Sequence, residues 1–185
     1  MNRIICLVFV IVTATFSVGQ VNLTEFGFEF QAYPTGIIPA AKIDVALSAK
    51  STLHTKFGGN IFNHQDFGKQ DEESGQGLGG ALGYTYHFNE LIKGWLIGVR
   101  SDVWFNHVNW KDNELLESGT TDIVVLQPTV FGGYAFKLAN SNFAVTPTLA
   151  VGQEWNLYLN NTHRKTGEGW IALLGLYLSY RINKK

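Results

Sequence analysis

Charged side chains recur at alternate positions along several predicted strands, where they share a face with small residues. This polar face carries Glu29, Lys42, Asp44, His54, Lys56, His87, Arg100, Asp102, Glu154 and Arg181. Both signs of charge are present, and buried charges persist only when they are paired and hydrogen-bonded. We therefore expect a salt-bridge network inside the fold, anchored by Arg100 and Asp102, which lie two apart on one strand. A gated ion path or a small-ligand cavity lined by the same residues is the alternative.

A serine, an acid and a histidine also lie close together in the sequence. Ser101, Asp102 and His107 are the nearest set to an acyl-transfer triad, in which a histidine activates the hydroxyl. Neighbouring residues of a strand point to opposite faces, so we do not expect Ser101 and Asp102 to converge, and we predict no enzymatic activity. No metal-ligand spacing is found among the histidines, and we expect no cofactor and no metal. The histidines are His54, His64, His87, His107 and His163.

The amino terminus has the parts of a secretory signal. A single positive charge precedes an apolar run over Ile4–Val12, and small residues follow at Ser17 and Gly19. We expect residues 1–19 to be a cleaved signal peptide. The only cysteine, Cys6, falls in this segment, so the mature chain would have no disulfide and no thiolate ligand.

The rest of the chain, residues 20–185, suits one domain and alternates apolar with polar residues over eight stretches. The predicted strands are Leu23–Tyr33, Ile38–Ala49, Thr52–Phe62, Gly77–Phe88, Trp95–His107, Ile123–Phe136, Asn142–Asn156 and Gly169–Ile182. Short turns alternate with long connections after the first hairpin. The predicted long loops are Asn63–Gln76, Val108–Thr121 and Leu157–Gly167. The net charge of −1 excludes a polyanion such as nucleic acid as an expected partner.

Two arrangements fit eight such strands, and they differ in which face is outside. Glycine is frequent on the polar face, as a narrow lumen requires, and the apolar face carries no charge. Aromatic residues gather near the short turns at Phe88, Trp95, Phe136, Phe143 and Tyr180, and towards the far rim at Tyr84, Phe105, Trp155 and Trp170. We therefore predict an all-β, eight-stranded antiparallel up-and-down transmembrane β-barrel with short periplasmic turns and longer extracellular loops.

A secreted, soluble lipocalin-like ligand-binding barrel is the alternative arrangement. It requires Phe28, Val45, Ile97 and Leu176 to point inward. Two prolines inside predicted strands, Pro128 and Pro147, do not fit a continuous barrel ladder, and we expect local bulges or bends there.

The connections carry segregated charge. Acidic residues occupy the first two long loops at Asp66, Asp71, Glu72, Glu73, Asp112, Glu114 and Glu117. Basic residues occupy the short turns and the tail at Lys50, Lys93, Lys137, Lys184 and Lys185. Acidic loops could bind divalent cations that bridge to lipopolysaccharide or could meet a surface protein, and basic turns could meet phospholipid phosphates.

The prolines lie in Gln-Pro-Thr-Val-Phe-Gly-Gly-Tyr and Thr-Pro-Thr-Leu-Ala-Val-Gly, beginning at Gln127 and Thr146. The pair resembles the penultimate hairpin of small OmpA/OmpX-like outer-membrane barrels of the Bacteroidetes type. The resemblance implies an outer-membrane location, lipid, lipopolysaccharide and the barrel assembly machinery as partners, and a structural or surface-interaction role. A narrow channel or transport protein is the alternative. One departure is that Tyr180 is followed by Arg-Ile-Asn-Lys-Lys, where the family's last strand ends on an aromatic residue.

Overall fold

The computed structural model describes residues 23–65, 70–91, 93–139, 141–158 and 168–182. Eight antiparallel strands follow one another around a closed barrel, and the first pairs with the last. They are β1 Leu23–Tyr33, β2 Gly36–Ala46, β3 Ser51–Gln65, β4 Glu72–His87, β5 Gly94–Asp112, β6 Glu117–Lys137, β7 Phe143–Tyr158 and β8 Gly169–Arg181. No helix in these ranges is long and apolar enough to cross a bilayer. The predicted signal peptide and Cys6 lie outside the described residues.

The two rims of the barrel differ. The lower rim holds the start of β1, the end of β8 and the connections at 47–50, 88–93 and 138–142. The upper rim holds the tight turn at 34–35, the turn at 113–116, the ends of β3 and β7 and the starts of β4 and β8.

Two of the predicted long loops are wrong in extent, because strands occupy most of their length. The β5–β6 ladder continues from the barrel wall up to the pair Asp112 and Glu117, so only residues 113–116 form a turn. The outer face of β5 becomes polar at His107 and Asn109, where the strand leaves the apolar band. The end of the apolar pattern therefore marks the edge of the band and not the end of the strand.

Of the first predicted long loop, Asn63–Gln76, residues 63–65 belong to β3 and residues 72–76 to β4, and residues 66–69 lie outside the described part of the chain. Of the third, Leu157–Gly167, the first two residues belong to β7. Residues 159–167 lie outside the described part of the chain.

Apolar side chains cover the outside of the barrel wall. Phe28 is 62% exposed, and Ile97 and Leu176 are exposed as well, while Val45 is half-buried. The soluble-barrel alternative, which needs these residues inside, is therefore wrong. An apolar exterior around a polar interior is the arrangement of a barrel immersed in lipid.

Aromatic residues mark both ends of this exterior. Near the lower rim, Tyr180 contacts Phe26 and Phe143 with ring centroids 5.6 and 5.0 Å away. Near the upper end lie exposed Phe105, Trp155 and Trp170. The placement of Tyr84 towards the far rim was wrong, because β4 runs downward and Tyr84 lies near its lower end.

The inner face of β4 is a row of small residues. Its members are Gly75, Gly77, Gly79, Ala81 and Gly83. A methyl group at Gly79 would collide with the Trp104 ring, and one at Gly83 would collide with the His54 imidazole. The row therefore provides the space into which large side chains of β3 and β5 extend.

The interior also contains an apolar cluster, which the prediction of a polar inner face missed. Trp104, Val108 and Val125 are almost fully buried on the inner faces of β5 and β6, together with Ile38 and Ile123. We call these five residues the apolar plug. Leu173 belongs to the same cluster, and Ile171 packs against it, so the inner face of the last strand also carries apolar residues.

The strand prolines cause no bulge, which corrects that prediction. The β6–β7 register is unchanged on either side of both prolines, but pairing is interrupted beside each one. The Pro128 carbonyl faces Gly152 of β7, and the Pro147 carbonyl faces Gly133 of β6. Because the amide and carbonyl of a strand residue point to the same side, both prolines remove a donor from the same β6–β7 seam.

Candidate functional site

A group of four charged side chains crosses the middle of the lumen, and we call it the ionic cluster: Glu29, Lys56, Arg100 and Asp102. Lys56 is fully buried, with its Nζ 2.7 Å from Asp102 Oδ1 and 3.6 Å from Glu29 Oε2. Lys56 also donates a hydrogen bond of 2.7 Å to Gln31 Oε1. Two strands, β1 and β5, thus supply the partners of a cation that lies on a third strand, β3.

Arg100 completes the ionic cluster from the opposite side of Asp102. Its Nε lies 2.7 Å from Asp102 Oδ2, and its Nη1 lies 3.5 Å from each oxygen of Glu29. Two cations therefore face two carboxylates, and the cluster is neutral as a unit. Charge-assisted hydrogen bonds of this length are the strong ones, and their loss leaves a buried charge without compensation.

A second group lies below the ionic cluster, towards the lower rim. Lys42 Nζ is 3.5 Å from Asp44 Oδ1, and the Tyr177 hydroxyl donates to Asp44 Oδ2 at 2.8 Å. Between the two groups is a cavity of about 20 Å³, whose lining includes Glu25 and Glu29. That volume is about the minimum needed for one water molecule.

Each of the three buried cations also lies over an aromatic ring. Lys42 Nζ is 4.1 Å from the centroid of Tyr177, and Lys56 Nζ is 5.5 Å from that of Trp104. The Arg100 guanidinium carbon is 5.6 Å from the centroid of Phe131. The sequence reasoning missed these rings and Gln31 as partners. The available signal was the presence of aromatic residues on an otherwise polar face.

The other predicted lumen residues are placed separately. His54 Nδ1 lies 3.2 Å from the Thr85 hydroxyl, and His87 is buried near the lower cavity. Glu154 accepts a hydrogen bond of 3.3 Å from Gln127, and Arg181 donates one of 3.3 Å to the Leu91 carbonyl. Both are half-buried and lie away from the ionic cluster.

The serine–acid–histidine set is not assembled. Ser101 is exposed on the outer face, whereas Asp102 is fully buried inside. His107 lies on the outer face, with its Nδ1 2.6 Å from Asp122 Oδ1. Within the described ranges, no three His, Cys, Asp or Glu residues are grouped so that they could hold a metal ion.

Acidic side chains of the upper rim join two hairpins. Asp71 Oδ2 accepts a hydrogen bond of 2.5 Å from the Asn113 amide, and Glu72 lies 3.6 Å from Lys111 Nζ. Glu73 accepts a hydrogen bond from the Gln70 amide at 3.2 Å. The acids therefore tie the β3–β4 connection to the β5–β6 hairpin. Predicted Asp66, His163, Lys184 and Lys185 lie outside the described residues.

Solved structures with this architecture come from the outer membrane of bacteria. The solid-state NMR structure of the outer membrane protein AlkL in lipid bilayers superposes with a TM-score of 0.54, at 13% identity over 90% of this chain and 94% of that one. The N-terminal β-barrel domain of Pseudomonas aeruginosa OprF gives 0.48 at 18% identity, with 86% and 98% covered. The attachment invasion locus protein Ail of Yersinia pestis gives 0.49 at 8% identity, with 86% and 97% covered.

No family model matches the sequence, and no curated protein matches it either. The class follows from the closed eight-stranded barrel, its apolar exterior and the shared fold: this is a transmembrane β-barrel protein of the bacterial outer membrane. Eight strands in up-and-down order with short turns at one rim are the arrangement of small outer-membrane barrels, in which the short turns face the periplasm; the lower rim is therefore assigned as periplasmic and the upper rim as extracellular.

Proposed function

We propose that this protein is a non-conducting outer-membrane barrel that acts at the cell surface, where its upper hairpins meet a partner. The observation that carries the proposal is the double closure of the lumen. The neutral ionic cluster fills the middle, and the apolar plug lies above it. The cavity below the ionic cluster has room for about one water molecule.

The β5–β6 hairpin beyond the apolar band supports a role at the surface. We call residues 107–122 the tip hairpin. At its end, Leu115 and Leu116 are exposed, Leu116 to 91%. Leu116 also has a φ of 53°, a left-handed conformation that costs a non-glycine residue about 1–2 kcal/mol. Strained backbone conformations cluster at functional sites, so a strained and exposed leucine supports a functional role for the tip hairpin.

Hydrogen bonds hold the end of the tip hairpin in place. Asp112 Oδ1 accepts a hydrogen bond of 2.9 Å from the Leu115 amide, and Asp71 holds the Asn113 amide from the neighbouring hairpin. Asp112, Glu114 and Glu117 surround the two leucines with negative charge. A surface partner that offers an apolar contact within a basic border fits this arrangement best.

Conductance separates this proposal from the channel alternative. Purified protein inserted in planar bilayers is expected to give no stepwise current at moderate voltage. A variant that removes both closures is the positive control for detecting an opened lumen; it carries Glu29→Ala, Lys56→Ala, Arg100→Ala and Asp102→Ala in the ionic cluster and Trp104→Ala in the apolar plug. Stepwise currents from the wild-type protein would refute non-conduction.

The surface role is tested on whole cells. Cells that produce the wild-type protein are compared with cells that produce Leu115→Ser/Leu116→Gly in assays of cell-to-cell aggregation and of adhesion to immobilised matrix proteins. We expect the variant to lose adhesion at unchanged surface abundance. The matched control is Leu78→Ser, because Leu78 is exposed within the apolar band and cannot reach a surface partner. Equal adhesion by all three would count against the role of the tip.

A further inference from the structure

The lipid-facing side of the barrel has a groove that no surface role explains. Its volume is about 990 Å³, and its walls are almost entirely apolar, with Trp95, Tyr134 and Phe136 on one side and Leu149 on the other. It lies at the lower end of the β5–β8 wall. Large side chains cover most of the exterior, and a smaller depression of about 530 Å³ lies higher on the same wall, so the larger volume distinguishes the lower end of this wall.

Glycine forms the floor of the groove. The strand register places Gly132 between Ile97 of β5 and Leu149 of β7, both of which are exposed to the outside. A side chain at Gly132 would meet open space, with only the Leu96 carbonyl 3.7 Å from the position of its Cβ. A bulky residue is therefore sterically possible here, and its absence leaves the groove open.

Proline interrupts the hydrogen-bond ladder along the same groove. By register, Pro147 lies opposite Tyr134, where the β6–β7 pairing is interrupted, and Pro147 has no amide to donate to the Tyr134 carbonyl. A backbone carbonyl without that donor is costly in hydrocarbon, and an ordinary lipid tail cannot compensate it. The groove therefore lies where the β6–β7 strand pair gives up a backbone hydrogen bond.

The rim below the groove carries positive charge. Lys93 and Lys137 are exposed at this rim, close in the chain to Trp95 and Phe136, which line the groove, and Glu90 is exposed in the same turn as Lys93. The Lys50 ammonium donates a hydrogen bond of 3.0 Å to the carbonyl of Phe88, another lining residue. Cationic side chains at the end of an apolar groove, on the membrane's inner surface, match an anionic headgroup joined to an acyl chain.

We propose that this groove binds one phospholipid of the inner leaflet, with an acyl chain over Gly132 and the phosphate among Lys50, Lys93 and Lys137. The rim is the periplasmic one, so the lipid comes from the leaflet in contact with the short turns. The site is independent of the tip hairpin, which lies at the other end of the barrel.

The test is native mass spectrometry of the protein released from micelles that contain phosphatidylglycerol, repeated with phosphatidylethanolamine. The wild-type protein is expected to retain one lipid, and Gly132→Phe is expected to weaken retention at least about tenfold, the equivalent of losing two buried methylene contacts. The matched control is Gly59→Phe, because Gly59 is also an outward glycine with open space but lies on β3, away from the groove. Lys93→Gln/Lys137→Gln is expected to weaken phosphatidylglycerol most.

Three outcomes would overturn the proposal. Equal lipid retention by Gly132→Phe and Gly59→Phe would mean that only non-specific boundary lipid is bound. A dimer that Gly132→Phe alone abolishes would assign the groove to a second copy of the chain. If the lysine substitutions leave lipid retention unchanged, the lysines do not bind the headgroup. Heat-modifiable gel mobility verifies that each variant is folded, and Gly132→Leu replaces Gly132→Phe if the larger residue prevents folding.

Discussion

Replacement of Lys56 by methionine isolates the contribution of the ionic cluster. Methionine keeps much of the lysine volume and removes the charge, so the change is electrostatic more than steric. Arg100 is then the remaining cation of the cluster, facing the two carboxylates of Glu29 and Asp102. The variant leaves an uncompensated negative charge at a site where the Lys56 and Asp102 side chains are both fully buried.

The magnitude follows from the contacts that are lost. Lys56 makes two contacts of 2.7 Å, to Asp102 and to Gln31, and a weaker one of 3.6 Å to Glu29. Hydrogen bonds to charged groups contribute about 1.5–3 kcal/mol each, and removal of one partner of a buried ion pair costs about 3–5 kcal/mol. We expect Lys56→Met to lower the free energy of unfolding by about 3–5 kcal/mol.

A matched control is available on the surface. Lys111 lies 3.6 Å from Glu72, but the two side chains are 55% and 44% exposed. Lys111→Met should therefore cost about 1 kcal/mol or less. The double variant Lys56→Met/Asp102→Asn restores the charge balance between Arg100 and Glu29, and it is expected to be more stable than Lys56→Met alone.

The assay is equilibrium unfolding in urea from lipid vesicles, followed by tryptophan fluorescence and by the heat-modifiable shift on gels. The midpoint and slope of each variant give the change in free energy. A difference of less than about 1 kcal/mol between Lys56→Met and Lys111→Met, which is the ceiling for an exposed pair, would contradict a strong contribution of the buried charge. A double variant less stable than Lys56→Met would contradict it as well.

Three further changes test other parts of the structure. Gly83→Ala should lower the free energy of unfolding by about 1–3 kcal/mol, because the new methyl group meets the His54 ring. Gly59→Ala, on the open outer face, should be close to neutral, and the urea midpoints of the two variants test this difference. Leu116→Gly should raise stability by up to about 1 kcal/mol, since glycine relieves the left-handed conformation, and an unchanged or lower midpoint would contradict the strain at this position. Tyr180→Ala should cost about 1–3 kcal/mol through its two ring contacts, to Phe26 and Phe143, and should reduce the fraction of heat-resistant band; Tyr86→Ala, with its single ring contact to Phe88, should cost less.

Much of the architecture could be predicted from alternation alone. A period of two places Phe28 and Ile97 outside and Lys56 and Asp102 inside without knowledge of any contact, because every strand of a closed barrel separates two environments. The same signal failed for the length of the tip hairpin. Above the membrane the outer face of a hairpin meets water and carries polar residues, although its inner face stays buried. The alternation of apolar and polar residues that defines a strand in lipid is therefore lost there.

Partners within the lumen could not be predicted in the same way. That Lys56 meets Asp102 and Gln31 depends on strand stagger, which the sequence pattern leaves open. Aromatic residues on the polar face are visible in the sequence, but which cation each ring faces, as Trp104 faces Lys56, depends on the same stagger. The prediction at the prolines was wrong for a different reason. A proline inside a strand is usually accompanied by a bulge, but here the two strands keep their register and only the hydrogen bonds beside the prolines are missing.

The distribution of the ionic cluster over the chain has a consequence for how the barrel enters the membrane. Glu29 lies on the first strand, Lys56 on the third, and Arg100 with Asp102 on the fifth. Only Arg100 and Asp102 balance each other on one strand, whereas Glu29 and Lys56 lie on different hairpins, and each would be an unmatched member of the cluster in hydrocarbon if its hairpin inserted alone. Stepwise threading of hairpins is therefore disfavoured. The first five strands must associate before or during insertion, and assembly is expected to be all-or-none.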